Sequence, residues 1–256
     1  MVKTATFHDL EGASVFITGG GSGIGASLTE GFLEQGSKVA FIGRSDASEF
    51  VEEVGARTGN RPLFIQGDVT DIIVLRAALL QAEGAHGPIT VLVNNAANDK
   101  RHTAEEVDEA FYDWMMAINF KQYFFACQGV IPQMKKAGGG SIINFSSISY
   151  MMGNAGYPLY TAANSGINGM TRSLAREFGG DMIRVNALAP GWVLTERQKE
   201  LWVTEETLSA HLSRQCLQDT LDPQDMIDGV LFLASKTSKM MTGQALVIDG
   251  GVVVTG

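Results

Sequence analysis

Two cysteines, Cys127 and Cys216, are all that 256 residues contain. A pair of thiols cannot staple a fold of this size, so reduced thiols in a cytoplasmic protein are expected. Long apolar runs are missing as well, and no stretch approaches the ~18 residues that a membrane span needs. The opening "MVKTATFHDLEGASVFITGG" lacks a secretory pattern, because its apolar run begins only at Ala13 and soon ends in glycines, as a buried strand would. Basic residues are in deficit, 19 Lys and Arg against 28 Asp and Glu, for a formal net charge of −9. Binding to nucleic acid needs clustered cations, so neither nucleic acid nor membrane is an expected partner. The four histidines, His8, His86, His102 and His211, show no metal-ligand spacing, and no metal is expected.

What is present is apolar residue in quantity. Hydrophobic residues make up 45% of the chain, enough for a substantial core, and the length suits one α/β unit spanning 1–256. Short β-branched runs alternate with longer amphipathic stretches. "SVFIT" (14–18), "KVAFIG" (38–43), "PLFIQ" (62–66), "TVLV" (90–93), "SIINF" (141–145), "IRVNA" (183–187) and "ALVID" (245–249) read as strands. Their nearly continuous hydrophobicity fits strands covered on both faces. Between them lie helical patterns such as "IGASLTEGFLEQG", where Leu28, Phe32 and Leu33 recur before Gly36 ends the helix. The alternation predicts a doubly wound parallel sheet of about seven strands with helices on both faces and ligands at the strands' carboxyl ends.

Residues 190–221 break the rhythm. This stretch has no strand pattern, only helix-like pieces, one of them capped by Thr204 ahead of Glu205 and Glu206. "DPQD" (222–225) then reads as an Asp cap with Pro at the first helical position. The stretch is either a lid or substrate lobe or a packed surface helix pair.

"VFITGGGSGIG" places glycines directly after the first strand and at the start of a helix. Glycines permit the tight turn and close backbone approach to a pyrophosphate, while the helix N-terminus offers free N–H groups. The spacing is T-G-x-x-x-G-x-G, formed by Thr18, Gly19, Gly23 and Gly25, rather than G-x-G-x-x-G. A G-x-S-x-G nucleophile elbow is absent from "GGSGI".

This loop and the motifs that follow resemble the short-chain dehydrogenase/reductase family over nearly the whole chain. "GDVTD" (67–71) looks like the adenine-contacting segment, "NNAA" (94–97) resembles N-N-A-G, and Asn119 in "AINF" matches the asparagine that anchors a proton-relay water. "FSSISYMMGNAGYPLY" matches the serine-to-tyrosine segment, and the separation 160 − 147 = 13 selects Ser147 over Ser146. "PGWVLT" (190–195) is similar to the loop that contacts the nicotinamide carboxamide. The resemblance implies a Rossmann-type oxidoreductase. Its nicotinamide cofactor would be held by Gly19, Ser22, Gly23, Ile24, Gly25, Arg44, Asp68, Val69, Asn95, Ala96, Pro190, Val193 and Thr195, together with Tyr160 and Asn164. The implied catalytic set is Asn119, Ser147, Tyr160 and Asn164.

One member departs from the pattern. The family has lysine four residues after the tyrosine, and here that residue is Asn164. A free tyrosine has a pKa near ~10, too high for an efficient base at neutral pH. A lysine about 5 Å away at an effective dielectric near 20 favours phenolate by roughly 3 kcal/mol, or about two pKa units. Asn164 offers hydrogen bonds to ribose without that charge, so lowered activity is expected.

At the end of the second strand Gly43 stands where an acidic residue would bind the NAD ribose, and Arg44 follows. This favours NADP, with NAD possible. For the substrate, "NNAANDKRH", "TERQKELW" and "RQCL" resemble bacterial aldose 1-dehydrogenases, which oxidise C1 of a pentose or hexose to a lactone. Candidate sugar-binding residues are Asn98, Ser149, Asn154, Arg197 and Gln198, with Trp192 or Trp202 stacking on a sugar face and Ser147 and Tyr160 at the reacting oxygen. Alternatives are a reductase of another carbonyl, such as a 3-oxoacyl thioester or a keto-deoxy sugar acid, and a non-catalytic cofactor-binding sensor or scaffold. The family resemblance also implies a homodimer or homotetramer, formed through the helices carrying Asn119 and Tyr160 and through the C-terminal strand.

Overall fold

Seven β-branched runs pair into one sheet in the computed structural model, which describes residues 5–254. The first four residues of the opening stretch and the last two of the ending "GGVVVTG" lie outside the described residues. The strands are β1 Ser14–Thr18, β2 Lys38–Gly43, β3 Leu63–Gln66, β4 Val91–Asn94, β5 Gly140–Phe145, β6 Ile183–Pro190 and β7 Ala245–Ile248. Every pairing is parallel and the order is β3-β2-β1-β4-β5-β6-β7. The expected strands agree to within one residue except β6. That strand continues to Pro190 because Ala187–Pro190 still pairs with Ala245–Ile248. A proline is tolerated at this terminal position.

Helices α1 Gly23–Glu34, α2 Ser48–Thr58, α3 Ile72–His86, α4 Glu109–Met116, α5 Gln122–Lys136, α6 Ser149–Met152, α7 Pro158–Phe178, α8 Glu196–Leu201, α9 Glu205–Leu212 and α10 Ile227–Ala234 connect the strands. A π-helical turn at Ala117–Lys121 joins α4 to α5. Alternation along each strand builds a core on both sides of the sheet. Val15 and Ile17 of β1 pack with Leu28 and Phe32 of α1 and Val230 and Leu231 of α10. Phe16, between them, faces Leu75 and Leu79 of α3 and Val130 of α5. Gly36 ends the first helical segment at φ 77°, a left-handed conformation that suits glycine.

The 190–221 stretch holds α8 and α9, and its ends are pinned together. Val193 bridges Leu221, and Leu194 N donates to the Leu221 carbonyl at 2.7 Å. Thr204 caps α9 as expected, its hydroxyl accepting from Thr207 N at 3.1 Å. "DPQD" opens as a 3-10 turn over Pro223–Met226 that runs into α10, with the Asp225 carboxylate accepting from Asp222 N at 2.7 Å. Among the described residues no helix is long and apolar enough to cross a membrane. Cys127 is buried and Cys216 exposed, and both are free thiols.

Phe41 of β2 is fully buried, stacks on Phe64 at 5.2 Å and meets Phe50 edge-on at 6.0 Å. It also supports the glycine loop, where a Cβ on Gly20 would lie 2.5 Å from the Phe41 Cβ. Phe41→Ala is expected to lower unfolding stability by about 3–5 kcal/mol in urea titration, through lost burial and the cavity left behind.

Candidate active site

The strand order reverses between β1 and β4, and the chains leaving these two strands diverge to open a crevice. Four hydrogen bonds clasp them just above the sheet. The Thr18 hydroxyl accepts from Asn95 N at 3.0 Å and Ala96 N at 3.1 Å. The Asn95 amide donates to the carbonyls of Thr18 at 3.1 Å and Gly19 at 3.2 Å. Gly25 packs so closely that a Cβ there would lie 1.9 Å from the Gly19 oxygen. The first turn of α1 carries no acidic residue, and Ser22 makes no capping side-chain bond. This leaves an uncapped helix N-terminus facing a glycine-lined groove, which suits a pyrophosphate.

Two cavities meet at this clasp. The groove, of about 820 Å³, is lined by Gly19, Ser22, Gly23, Ile24, Gly25, Arg44, Asp68, Val69, Asn95, Ala96 and Thr195, all residues expected to hold cofactor. A second cavity of about 790 Å³ brings Asn119, Ser147, Tyr160 and Asn164 together. Ile24, Asn95, Ala97, Thr195 and Arg197 form the wall common to both. Pro190 and Val193, also expected beside the cofactor, line the Tyr160 cavity, and the chain reaches the groove at Leu194 and Thr195. Asn98, expected to touch substrate, lies on the groove side. Its backbone N–H donates to Asn119 Oδ1 at 2.8 Å, which draws the residue toward the clasp. Ser149, Asn154, Trp192, Gln198 and Trp202 line the Tyr160 cavity as expected.

Tyr160 sits in the first turn of α7 and Ser147 in the turn after β5. The Ser147 oxygen accepts from Ser149 N at 3.1 Å, leaving its own O–H free to donate. Burial pushes the Tyr160 phenol up to about 12, and the Asp99 charge adds to the rise; hydrogen bonding from Ser147 and Asn164 opposes it without prevailing. Asn164 is 3% exposed, and its amide donates to the Tyr160 carbonyl at 2.8 Å. Both ends of the Asn119 amide are engaged, Oδ1 by Asn98 and Nδ2 by the Met115 carbonyl at 3.0 Å. The side chain therefore locks the π-helical turn to the chain leaving β4.

Beneath the site lies a buried neutral network. Asn94 donates to Asn144 at 2.9 Å, and Asn144 donates to Thr171 at 3.0 Å. Asn168 donates to Ser146 Oγ and to the Asn164 carbonyl, each at 2.8 Å. These bonds fix α7 against β5. Cys127 adjoins Asn94 at 3.4 Å, and burial holds its thiol up at about 12, so it is a packing residue and not a nucleophile.

Several wall residues carry little signal in the linear chain. Asp99, Arg101 and Tyr157 line the Tyr160 cavity, and Arg101 lies 4.0 Å over the Tyr157 ring. Thr207, Ala210, His211 and Arg214 also line it, at the i, i+3, i+4, i+7 spacing of one helical face. That periodicity was available in the sequence, but mixed polar residues do not announce a cavity-lining face. The Asp99 carboxylate accepts from Gln198 Nε2 at 2.9 Å, and Gln198 Oε1 accepts from Trp192 Nε1 at 2.9 Å. This chain of contacts joins the loop after β4 to α8.

His102 has a further structural part. Its Nε2 accepts from Leu159 N at 3.2 Å, its Nδ1 pairs with the Lys100 carbonyl at 2.9 Å, and its backbone N–H donates to Gly156 O at 2.8 Å. Nε2 must then be unprotonated, and the ring caps the helix that carries Tyr160.

Residues 19–253 match the family model described as enoyl-(acyl carrier protein) reductase. The chain is 47% identical over 253 residues to a protein of Rhizobium meliloti (strain 1021) named "Probable galactose dehydrogenase GalD", covering 98% of this chain and 99% of that one. It is 41% identical over 251 residues to the D-xylose 1-dehydrogenase of Caulobacter vibrioides (strain NA1000 / CB15N), covering 98% and 99%. The solved short-chain dehydrogenase/reductase from Serratia marcescens BCRC 10948 superposes with a TM-score of 0.89 at 29% identity, over 96% of this chain and 100% of that one. The chain belongs to the short-chain dehydrogenase/reductase family, oxidoreductases that use NAD or NADP.

Replacing His102 with alanine strips an acceptor from the N-terminus of α7. The expected loss is about 1–2 kcal/mol in thermal or urea unfolding, with His102→Gln recovering part of it; equal stability of all three proteins would contradict the capping role.

Proposed function

We propose that the protein is an NAD(P)-dependent sugar dehydrogenase that oxidises C1 of an aldose to a lactone, with NADP preferred and NAD accepted. The observation carrying this reading is the junction of the two cavities. Ser147 and Tyr160 stand in a chamber lined by hydrogen-bonding and aromatic side chains, across a common wall from the glycine-lined groove. That chamber offers what a polyhydroxy substrate requires: directional donors and acceptors at Ser149, Asn154, Arg197 and Gln198, and flat apolar faces at Trp192 and Trp202. The names of the two relatives above, a galactose and a xylose dehydrogenase, support the same substrate class.

Residues of this chain divide the work as follows. The Ser147 hydroxyl orients the reacting oxygen, and Tyr160 takes the hydroxyl proton. Bound NAD(P) supplies the hydride acceptor, with Gly19, Ser22, Gly23, Ile24 and Gly25 at its pyrophosphate and Thr195 at its carboxamide. Residues 190–221 act as the lid of the sugar chamber, since their ends are pinned at Val193 and Leu221 while α8 and α9 form its outer wall. The active assembly is a homodimer or homotetramer, and the reducing cytoplasm suits its free thiols.

The proton step is slow for a stated reason. With the phenol at about 12 and no lysine at position 164, the base form is scarce at neutral pH. A group whose pKa lies above the working pH delivers more base as pH rises, so the oxidation rate should climb through the alkaline range. Asn164→Lys should move that rise down by about two pH units and raise neutral-pH turnover by roughly 10- to 100-fold. Rates across pH for an aldose panel check this. No aldose oxidation even with lysine restored would overturn the sugar reading, and equal rates in both proteins would overturn the account of Tyr160.

The NADP preference rests on Arg44, whose side chain is 76% exposed and stands 4.0 Å from Asp68 across the groove. A screened contact of this kind is weak and leaves the guanidinium available to a 2′-phosphate. A Cβ on Gly43 would meet only the Phe64 ring, at 3.8 Å. Packing at the Cβ therefore does not demand glycine there. Gly43→Asp is expected to lower the ratio of NADP to NAD efficiency at least about tenfold, measured as kcat/KM for each cofactor.

A further inference from the structure

Asp99 contributes a carboxylate to the Tyr160 cavity and is given no contact with substrate in the chemistry above. Its side chain is 19% exposed. Gln198 Nε2 donates to Oδ2 at 2.9 Å, and Arg197 Nη2 stands 3.7 Å from Oδ1, so α8 holds the group in one orientation. An ionised carboxylate has about four acceptor sites. One is occupied by a short hydrogen bond, and Oδ1 has only the long ion-pair contact.

Among charged side chains the remainder of the wall is cationic. Arg101, Arg197 and Arg214 can only donate, and so can the Trp202 indole N–H, which is buried without a partner. Asp99 is the only Asp or Glu among the described residues lining this cavity. A polyhydroxy ligand presents O–H donors as well as lone pairs, and this cavity has one strong acceptor for them.

A second observation concerns the chemistry that Asp99 opposes. Its negative charge makes phenolate at Tyr160 harder to form, in a chain where Asn164 offers no compensating cation. Charged or titratable groups sharing the cavity with it are Arg101, Arg197, Arg214, Tyr123, Tyr157, Tyr160 and His211. For proton transfer alone, a carboxylate held rigidly here is a disadvantage. For recognition it is an advantage, because hydrogen bonds to a charged acceptor are the stronger kind.

We propose that Asp99 is the specificity-determining acceptor for sugar hydroxyls other than the one that reacts at Ser147 and Tyr160. The inference rests on the sugar-dehydrogenase reading and identifies the ligand class more closely: an uncharged sugar whose non-reacting hydroxyls donate to Asp99.

The test is binding of D-galactose, D-xylose and the monodeoxy-galactoses to native protein and Asp99→Asn, read by fluorescence of Trp192 and Trp202 in the same cavity. Asparagine keeps the shape and an oxygen for Gln198, and removes the charge. The expected result is a Kd for D-galactose raised about tenfold or more. At least one monodeoxy sugar should bind native protein as weakly and be indifferent to the substitution. Equal weakening of galactose and of every monodeoxy analogue would mark Asp99 as a strut for α8 and overturn the proposal, as would unchanged galactose binding. Sugar binding that depends on Asp99 without oxidation of any aldose would instead defeat the dehydrogenase reading and keep only Asp99's part as an acceptor for sugar hydroxyls. A kinetic arm separates charge from packing. Asp99→Asn should move the alkaline rise in rate to lower pH, whereas Gln198→Ala, which frees the carboxylate but keeps its charge, should leave it in place. A profile unmoved by Asp99→Asn would contradict the placement of this charge beside Tyr160.

Discussion

The clasp between Thr18 and Asn95 is the interaction on which the site depends. A parallel sheet opens a crevice wherever neighbouring strands send their chains to opposite faces, and nothing in the sheet ladder sets the width of that crevice. Here one threonine hydroxyl and one asparagine amide tie the two departing chains together at 3.0–3.2 Å. The clasp sets the positions of the glycine loop and of Asn95 and Ala97, and so the wall that the two cavities have in common.

Tyr160 is positioned from the other side by neutral groups. The bonds among Asn94, Asn144 and Thr171, and among Ser146, Asn164 and Asn168, bury amides and hydroxyls that would be expensive if unpaired. Because both partners in each are uncharged, the network orients the helix without placing a formal charge beside Tyr160. Geometry and electrostatics are thus separable in this site. The tyrosine is held in one cavity with Asn119, Ser147 and Asn164, while burial and Asp99 keep its proton on.

Much of the fold was legible because buried parallel strands are written as short β-branched runs, and β1 and β2 have the boundaries read from the sequence. The glycine turn and the Thr204 cap were legible for a related reason: local conformational demands select particular residue types. Which cavity Pro190, Val193 and Asn98 line was not legible. A motif fixes order along the chain, and the side a residue faces depends on where β6 stops and on the bond from Asn98 to Asn119. Asp99, His102 and the inward face of α9 were not legible, since loop and surface-helix polar residues look alike until the chain brings them to a cavity.

By itself the sequence determined the alternation of strands and helices, the glycine turn after the first strand and an uncharged side chain at Asn164, all of which follow from local periodicity, backbone freedom and side-chain chemistry. Only the tertiary structure decided which polar groups converge. The contacts from His102 to Leu159, from Asp99 to Gln198 and from Trp192 to Gln198 join different segments of the chain. Their electrostatic consequence depends on burial, a property that no residue has until the sheet and its helices close around it.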